Sequence, residues 1–285
     1  LHSVSEGAER KAGGRAVLMP SKLQEVKIVE EIRPHFSATQ LETYLACPFK
    51  YYLMYEERLA WEKVPSGVAF GSAVHRAIER FNRALIDGRM DEESAMSLFE
   101  SEWASEAKRE EIEYKRTDER EELMDKGKRL VQLYSQEFAG MKPQAVERVF
   151  RLPILDVSTG LFEPSRDILG AIDLIADNEV IEVKTSAKSV NQREADGSLQ
   201  LTLYSWAYRM VYGREEKSLK TVALVKTTKP IVQVIETRRT AEDYTMLIEL
   251  MSQVIRAVKL GVFYRNPNTR YGCDGCVYHS ACGGK

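Results

Sequence analysis

Two short segments of this sequence carry the side chains that phosphate hydrolysis needs. They are Gly170-Ala171-Ile172-Asp173 and Ile181-Glu182-Val183-Lys184. Side chains alternate along a strand, so Glu182 and Lys184 share one face and Ile181 and Val183 the other. All these charges sit among Ile, Leu and Val, where an isolated charge is costly to bury. A hairpin lays Asp173 beside the Glu-x-Lys pair. Two carboxylates converging on one point, with a lysine next to them, suit a divalent cation of the Mg²⁺ type. Hard oxygens bind the ion, water completes its shell, and a phosphate can take the open positions. The lysine would orient or deprotonate the attacking water, or steady charge on the phosphate. A solvent-facing ion pair accounts for Glu-x-Lys taken alone; Gly-x-x-Asp just upstream shifts the balance toward a site.

Two weaker signals accompany it. Gln200 and Tyr204 are i, i+4 neighbours at the start of a helix and share a face; alone they read as a helix N-terminus with a half-buried tyrosine. Gly71-Ser72-Ala73-Val74-His75 opens an amphipathic helix, where a lone histidine reads as a core-edge residue. The four cysteines are distributed unevenly. Cys47 is followed by 225 intervening residues and then by Cys273-x2-Cys276-x5-Cys282. Three thiols within ten residues at a polar terminus rarely arise from packing. A Cys₄ set holds structural zinc or an iron–sulfur cluster, and the spacing does not separate the two.

The elements that must position these residues are legible from periodicity. Ser37 and Gln40 form a capping box for a helix carrying Leu41, Tyr44 and Leu45, which stops near Pro48. An apolar-aromatic segment runs from Phe49 to Leu59. Residues 70–86 keep the spacing of an amphipathic helix through Val74, Ala77, Ile78, Phe81 and Leu85, and Gly88 ends it. Residues 91–139 read as one or two long helices, and the charge run from Glu100 to Glu122 reads as a solvated face without chemistry. The period then changes to two. Strands are expected over Val146–Ile154, Ile168–Ala176 and Val180–Thr185, with Asp177-Asn178 as a short hairpin turn. A helix over 198–212 follows, then strands over Thr221–Lys226 and Ile231–Thr237. A last helix over Ala241–Leu260 is closed by Gly261. Residues 1–35 read as a tail or linker with one short strand over Glu25–Ile32.

Composition sets the outer limits. The 285 residues are 44% hydrophobic and 29% charged, enough for a full core and unlike a disordered chain. A net charge of -2 excludes a histone-like polybasic protein, so any nucleic-acid contact must come from locally concentrated charge. No apolar stretch reaches the roughly 20 residues that span a bilayer. The longest N-terminal apolar run, Ala16–Pro20, is too short for a signal peptide. A cytoplasmic protein with no membrane partner is therefore expected. Four cysteines in a chain of this size are no disulfide framework. No G-x-x-x-x-G-K-[ST] occurs, so the chain has no P-loop motor. The sequence begins at Leu1, which reads as a processed form or a part of something longer.

The ordered set Gly71…His75, Gly170…Asp173, Glu182-x-Lys184 and Gln200…Tyr204 resembles the RecB-type branch of the PD-(D/E)XK nucleases, from about Ser37 to Cys282. Ile172 stands where the superfamily's name has proline, as is common in that branch. The resemblance implies an α/β fold with a restriction-endonuclease-like core, a mixed central sheet flanked by helices. It implies a tail over 1–35 and a nuclease domain over 36–285, with a helical insertion at about 88–140 and a closing segment at 263–285. It implies Mg²⁺ or Mn²⁺ held by His75, Asp173, Glu182 and the backbone carbonyl of Val183. Lys184 would be the catalytic lysine, and Gln200 and Tyr204 would contact the DNA backbone or order the site. Glu147 is similar to an acidic residue often found on the first strand. The cysteines are similar to those of AddB-type and CRISPR-adaptation nucleases, where one Cys before the domain and three after it hold a 4Fe–4S cluster; zinc is the alternative.

The implied function is a metal-dependent deoxyribonuclease acting on single strands or DNA ends, in repair or recombination with a helicase or as part of one. A module of the same fold that grips DNA ends without cutting, or a CRISPR-adaptation nuclease, is the alternative, and an unrelated zinc-stabilised scaffold a further one. Lys188, Arg193, Lys226, Lys229, Arg238, Arg239, Arg265 and Arg270 join Lys184 as candidate phosphate contacts. Tyr204, Trp206 and Tyr208 are candidate stacking platforms for single strands.

Overall fold

The computed structural model describes residues 35–283 apart from 62, 89–91, 110–111, 115–119, 157–158, 269–272 and 274. The strand expected over Glu25–Ile32 lies outside the described residues. The described residues open with a two-residue strand β1 (His35–Phe36) and helix α1 (Ala38–Ala46). Ser37 caps α1: its hydroxyl accepts from the Gln40 N–H at 3.2 Å, and the Gln40 side chain accepts from the Ser37 N–H at 2.7 Å. Cys47 is extended, as a residue before proline must be, and α2 (Pro48–Tyr51) runs on into a π-helical turn over Tyr52–Glu56. After β2 (Val64–Pro65) comes α3 (Ser66–Ile86), four residues longer at its start than periodicity indicates.

The expected helical segment after α3 is two helices, α4 (Glu92–Arg109) and α5 (Arg120–Glu137). Between them β3 (Ile112–Glu113) pairs with β2 in a separate two-stranded sheet. The charge run on α4 is not a purely solvated face. The Arg76 guanidinium on α3 donates to Glu102 at 2.7 Å and also to Glu106, and Arg80 donates to Glu102 at 2.8 Å. Position along the helix alone does not reveal that these acids meet cations of α3, one of them adjacent in sequence to His75. Beneath the ion pairs Phe99 and Trp103 are fully buried and stack on each other, with Phe70 of α3 edge-on to both.

A long antiparallel pair follows, β4 (Pro143–Asp156) and β5 (Leu161–Ala176), both extending well beyond the expected strands. Asp177 and Asn178 turn the chain with φ of 50° and 62° into β6 (Glu179–Ser186), the left-handed pair that a two-residue hairpin demands. Helices α6 (Gln192–Asp196) and α7 (Leu199–Tyr212) then cross to β7 (Leu219–Val225), which lies parallel to β6. Strand β8 (Ile231–Thr237) and helix α8 (Ala241–Lys259) complete the fold. The mixed sheet has the order β1-β5-β6-β7-β8, with β4 paired to β5.

The sheet separates two cores. Residues of α1, α7 and α8 pack with Phe150, Leu152, Ile168 and Ile172 on one side. Residues of α3, α4 and α5 pack with Val146, Leu174, Ile181 and Val183 on the other. This is the mixed sheet flanked by helices that the sequence implies. Trp103 is fully buried whereas Val149 is 63% exposed. Trp103→Ala should therefore cost about 3–5 kcal/mol in urea unfolding, and Val149→Ala should stay within about 0.5 kcal/mol.

Candidate active site

The candidate acids stand where the sheet stops being regular. Leu174 and Ile172 are two residues apart and would share a face of a regular strand, yet they pack into opposite cores. The break falls at Asp173. On β4 the register Val146↔Leu174 and Arg148↔Ile172 sets Glu147 opposite Asp173. Glu147 has φ of 49°, a left-handed conformation that costs a non-glycine residue about 1–2 kcal/mol. The β5–β6 ladder also ends here: its last rung is Leu174↔Ile181. Past that rung the Val183 N–H no longer meets a backbone carbonyl and donates to Asp173 Oδ2 at 2.8 Å.

Asp173 is thereby held from three sides. Besides Val183, Tyr204 on α7 donates its hydroxyl to Asp173 Oδ1 at 2.8 Å, and Gln200 donates to Tyr204 Oη at 2.7 Å. His75 Nε2 on α3 lies 3.5 Å from Asp173 Oδ2 and 3.7 Å from Glu147 Oε1. Burial and the Asp173 charge hold the Tyr204 hydroxyl far above its ordinary range, so it remains a donor. The interaction with Asp173 raises the His75 imidazole above its ordinary value, against burial, which lowers it. Burial, with the Asp173 carboxylate next in weight, pushes Glu147 up to about 7.

Two motif glycines act by close approach. A Cβ on Gly170 would lie 2.6 Å from the Phe150 ring, its cross-strand partner. That ring in turn meets Tyr204 edge-on at 6.3 Å between centroids. A Cβ on Gly71 would lie 3.2 Å from Thr185 Oγ1, so glycine lets α3 bring His75 down onto the end of β6.

His75, Glu147 and Asp173 each offer a donor atom within 4.8 Å of the others, a set that could hold a metal ion. Ligands of one octahedral Mg²⁺ at about 2.1 Å stand roughly 3 to 4 Å apart, so a small contraction closes the set. The imidazole and two carboxylates suit a hard or borderline divalent cation. Glu182 is not in this set. It is buried, bonded by Lys184 Nζ at 3.2 Å and by Thr221 Oγ1, its register partner on β7, at 3.1 Å. The N–H and C=O of one residue lie along the same strand edge, so the Val183 carbonyl is offered on the side of Asp173.

Other expected residues fall elsewhere. Tyr204 and Tyr208 are buried and present no face to a base, and Trp206 is half-buried against the core. Arg239 is buried, contrary to a phosphate contact. Lys226 lies over the Phe70 ring at 4.9 Å. Lys188, Arg193, Lys229, Arg238 and Arg265 are exposed, and Arg270 lies outside the described residues. Sequence reasoning underrated Glu147, since its strand neighbours gave no sign of a left-handed residue.

Residues 35–283 match the PD-(D/E)XK nuclease superfamily. The chain belongs to this superfamily. No curated protein matches the sequence. Among solved structures, a protein provisionally assigned as an exonuclease from Eubacterium rectale superposes with a TM-score of 0.51 at 11% identity, covering 87% of each chain. That likeness is one of fold. A second structure, SSO0001, gives a TM-score of 0.38 at 15% identity over 82% of this chain and 94% of that one, and carries no argument. Membership makes the converged acids and Lys184 the place to look for nuclease chemistry. Among the described residues no helix is long and apolar enough to cross a membrane.

The raised Glu147 sets a pH dependence with a definite sign. Its folded form binds a proton more tightly than the unfolded chain, so the metal-free fold loses stability as pH rises from 4.5 toward about 7. Glu147→Gln removes that loss. In EDTA the variant should melt a few degrees above wild type at pH 8, on the order of 2 kcal/mol after allowance for partial exposure, and close to wild type at pH 4.5.

Proposed function

We propose that this chain is a divalent-metal-dependent deoxyribonuclease that hydrolyses phosphodiesters, with Mg²⁺ or Mn²⁺ as its ion. The observation that carries the reading is the convergence of His75, Glu147 and Asp173 beside the Glu182–Lys184 pair, at the one point where β5 and β6 part. An ion bound there would polarise the phosphate and lower the pKa of a water. The protein's own residues do the rest. Asp173 is fixed by Val183 and Tyr204, so its remaining lone pairs keep one direction. Lys184 is tethered to Glu182, with about a third of its side chain open to solvent. Its ammonium can hold the attacking water or a phosphate oxygen at the edge of the site. Tyr204 and Gln200 order the acid from inside the core.

The ordered motifs support the RecB-type branch, and with it a preference for single strands or ends in an exonuclease-like mode. The Eubacterium rectale neighbour, provisionally assigned as an exonuclease, points the same way. Work in DNA repair beside a helicase, or as part of one, follows from the same resemblance. The non-cleaving module is the rival. Asp173→Asn or Lys184→Ala should abolish cleavage of end-labelled DNA while binding in Ca²⁺ persists, because each removes a contact made to the reacting groups. Wild-type protein that binds DNA and never cuts it in Mg²⁺ or Mn²⁺ would establish the rival. Metal titration of Glu147→Gln against Glu182→Gln identifies the third ligand: the true ligand's variant needs more Mn²⁺, and His75→Ala should share that behaviour.

We also propose a 4Fe–4S cluster on Cys47, Cys273, Cys276 and Cys282, with zinc as the alternative. Supporting it, the backbone on both sides of Cys47 is tied to the C-terminal segment. Asn266 donates to the Ala46 carbonyl at 2.9 Å, and the Phe49 N–H donates to the Tyr264 carbonyl at 3.1 Å. Further along, Tyr278 Oη donates to the Leu59 carbonyl and accepts from Trp61, each at 2.9 Å. Among the described residues the thiols form no group of three or more within 4.8 Å of one another. Iron, acid-labile sulfide and zinc measured on anaerobic protein decide between the two, and Cys282→Ala should lose the metal and lower the melting temperature together.

A further inference from the structure

Arg239 follows β8 and is 5% exposed. A cation turned away from solvent normally meets a carboxylate. Among the described residues this one hydrogen-bonds to neutral groups alone. Its guanidinium donates to Thr202 Oγ1 at 2.7 Å, Thr237 Oγ1 at 2.8 Å, and the carbonyls of Ala195 at 2.8 Å, Arg238 at 2.9 Å and Ser198 at 3.2 Å. Burial lowers its pKa, and Asp243 and Asp196 oppose this only through space. Five acceptors on β8, its exit, α6 and the start of α7 can be met at once by one planar five-donor fork, and by no other side chain.

The acceptors on α7 locate the effect. Ser198 is the N-cap of α7, and Thr202 stands between Gln200 and Tyr204. The core face of α7, with Leu201, Leu203, Ala207 and Tyr208, packs in the buried cluster. The hydrogen bonds at its first turn add a directional restraint on rotation and depth that non-directional packing lacks. Tyr204 Oη must reach Asp173 at 2.8 Å, and it can do so at only one rotation and depth of the helix. Resting on the metal-site reading above, we infer that Arg239 is a positioning residue: it locks the first turn of α7 to β8, so that Tyr204 holds Asp173 in its ligating orientation. It touches neither DNA nor the reacting atoms.

The test uses Mn²⁺ alone as probe, titrated calorimetrically into the full-length chain, with DNA binding in EDTA and melting temperature in parallel. Arg239→Met should raise the Mn²⁺ dissociation constant about 10-fold or more, the usual scale for a residue supporting a metal ligand. DNA binding in EDTA should stay within about twofold. Arg239→Lys, which keeps the charge and loses the fork, should fall between Arg239→Met and wild type. Thr202→Val removes the acceptor on α7 while keeping the shape, and should move the constant the same way. The double variant should add less than the sum, because both act through one bond network. Folded variants that melt earlier with an unchanged Mn²⁺ constant would overturn the inference. If Arg239→Met does not fold, an unchanged constant in Thr202→Val overturns it equally. Wild type that binds Mn²⁺ no better than Asp173→Asn would defeat the metal reading together with this inference, whereas an Asp173→Asn loss with unaffected Arg239 variants defeats this inference alone.

Discussion

A buried carboxylate must be satisfied, and the way Asp173 is satisfied organises this molecule. Its donors come from elements far apart in the chain: the Val183 N–H on β6, the Tyr204 hydroxyl on α7, and His75 on α3 at a longer reach. Each donor has support of its own. Val183 is free to donate because the β5–β6 ladder ends two residues earlier, at Ile181. Tyr204 is braced by Gln200 and by the Phe150 ring, which lies over Gly170. His75 reaches the acid because Gly71 lets its helix approach Thr185. Removing any one brace leaves a buried charge under-bonded, which costs more than the bond itself contributed.

Like charge is concentrated at the same point. Glu147 faces Asp173 across the β4–β5 pair, in a backbone conformation that its residue type disfavours. Neither the strain nor the repulsion helps the fold. Both set acid oxygens at a separation that suits a cation, and strain persists where the surrounding structure over-determines it. Here the long β4–β5 ladder supplies that surplus on both sides of Glu147.

The peripheral parts are joined by different means. Helix α4 buries Phe99 and Trp103 against Phe70, then closes over them with Arg76 and Arg80 of α3 pairing to its acids. The C-terminal segment has little core of its own. It is tied down by side chain-to-backbone bonds from Tyr44, Asn266 and Tyr278, and by the Phe263 ring on Tyr51 and Tyr52. Such a segment gains most from an additional cross-link, which is what thiols at both ends of the domain would provide.

Much of this was present in the sequence, because much of it is local. The capping box at Ser37, the left-handed turn at Asp177-Asn178, the alternation that puts Glu182 with Lys184, and the helical spacing of Gln200 and Tyr204 are relations among near neighbours. Periodicity reads these directly. Strand pairing and burial are not local, and there the tertiary structure decided. Only the pairing of β4 with β5 sets Glu147 beside Asp173. Only the packing of α7 on the sheet turns Tyr204 and Tyr208 inward, away from any base. Only the meeting of β8, α6 and α7 turns Arg239 from a surface charge into a buried clamp. One strand's pattern states which face is apolar; it does not state what will cover that face. The sequence therefore set which side chains stand near one another along each element, and long-range packing settled the partners that orient them.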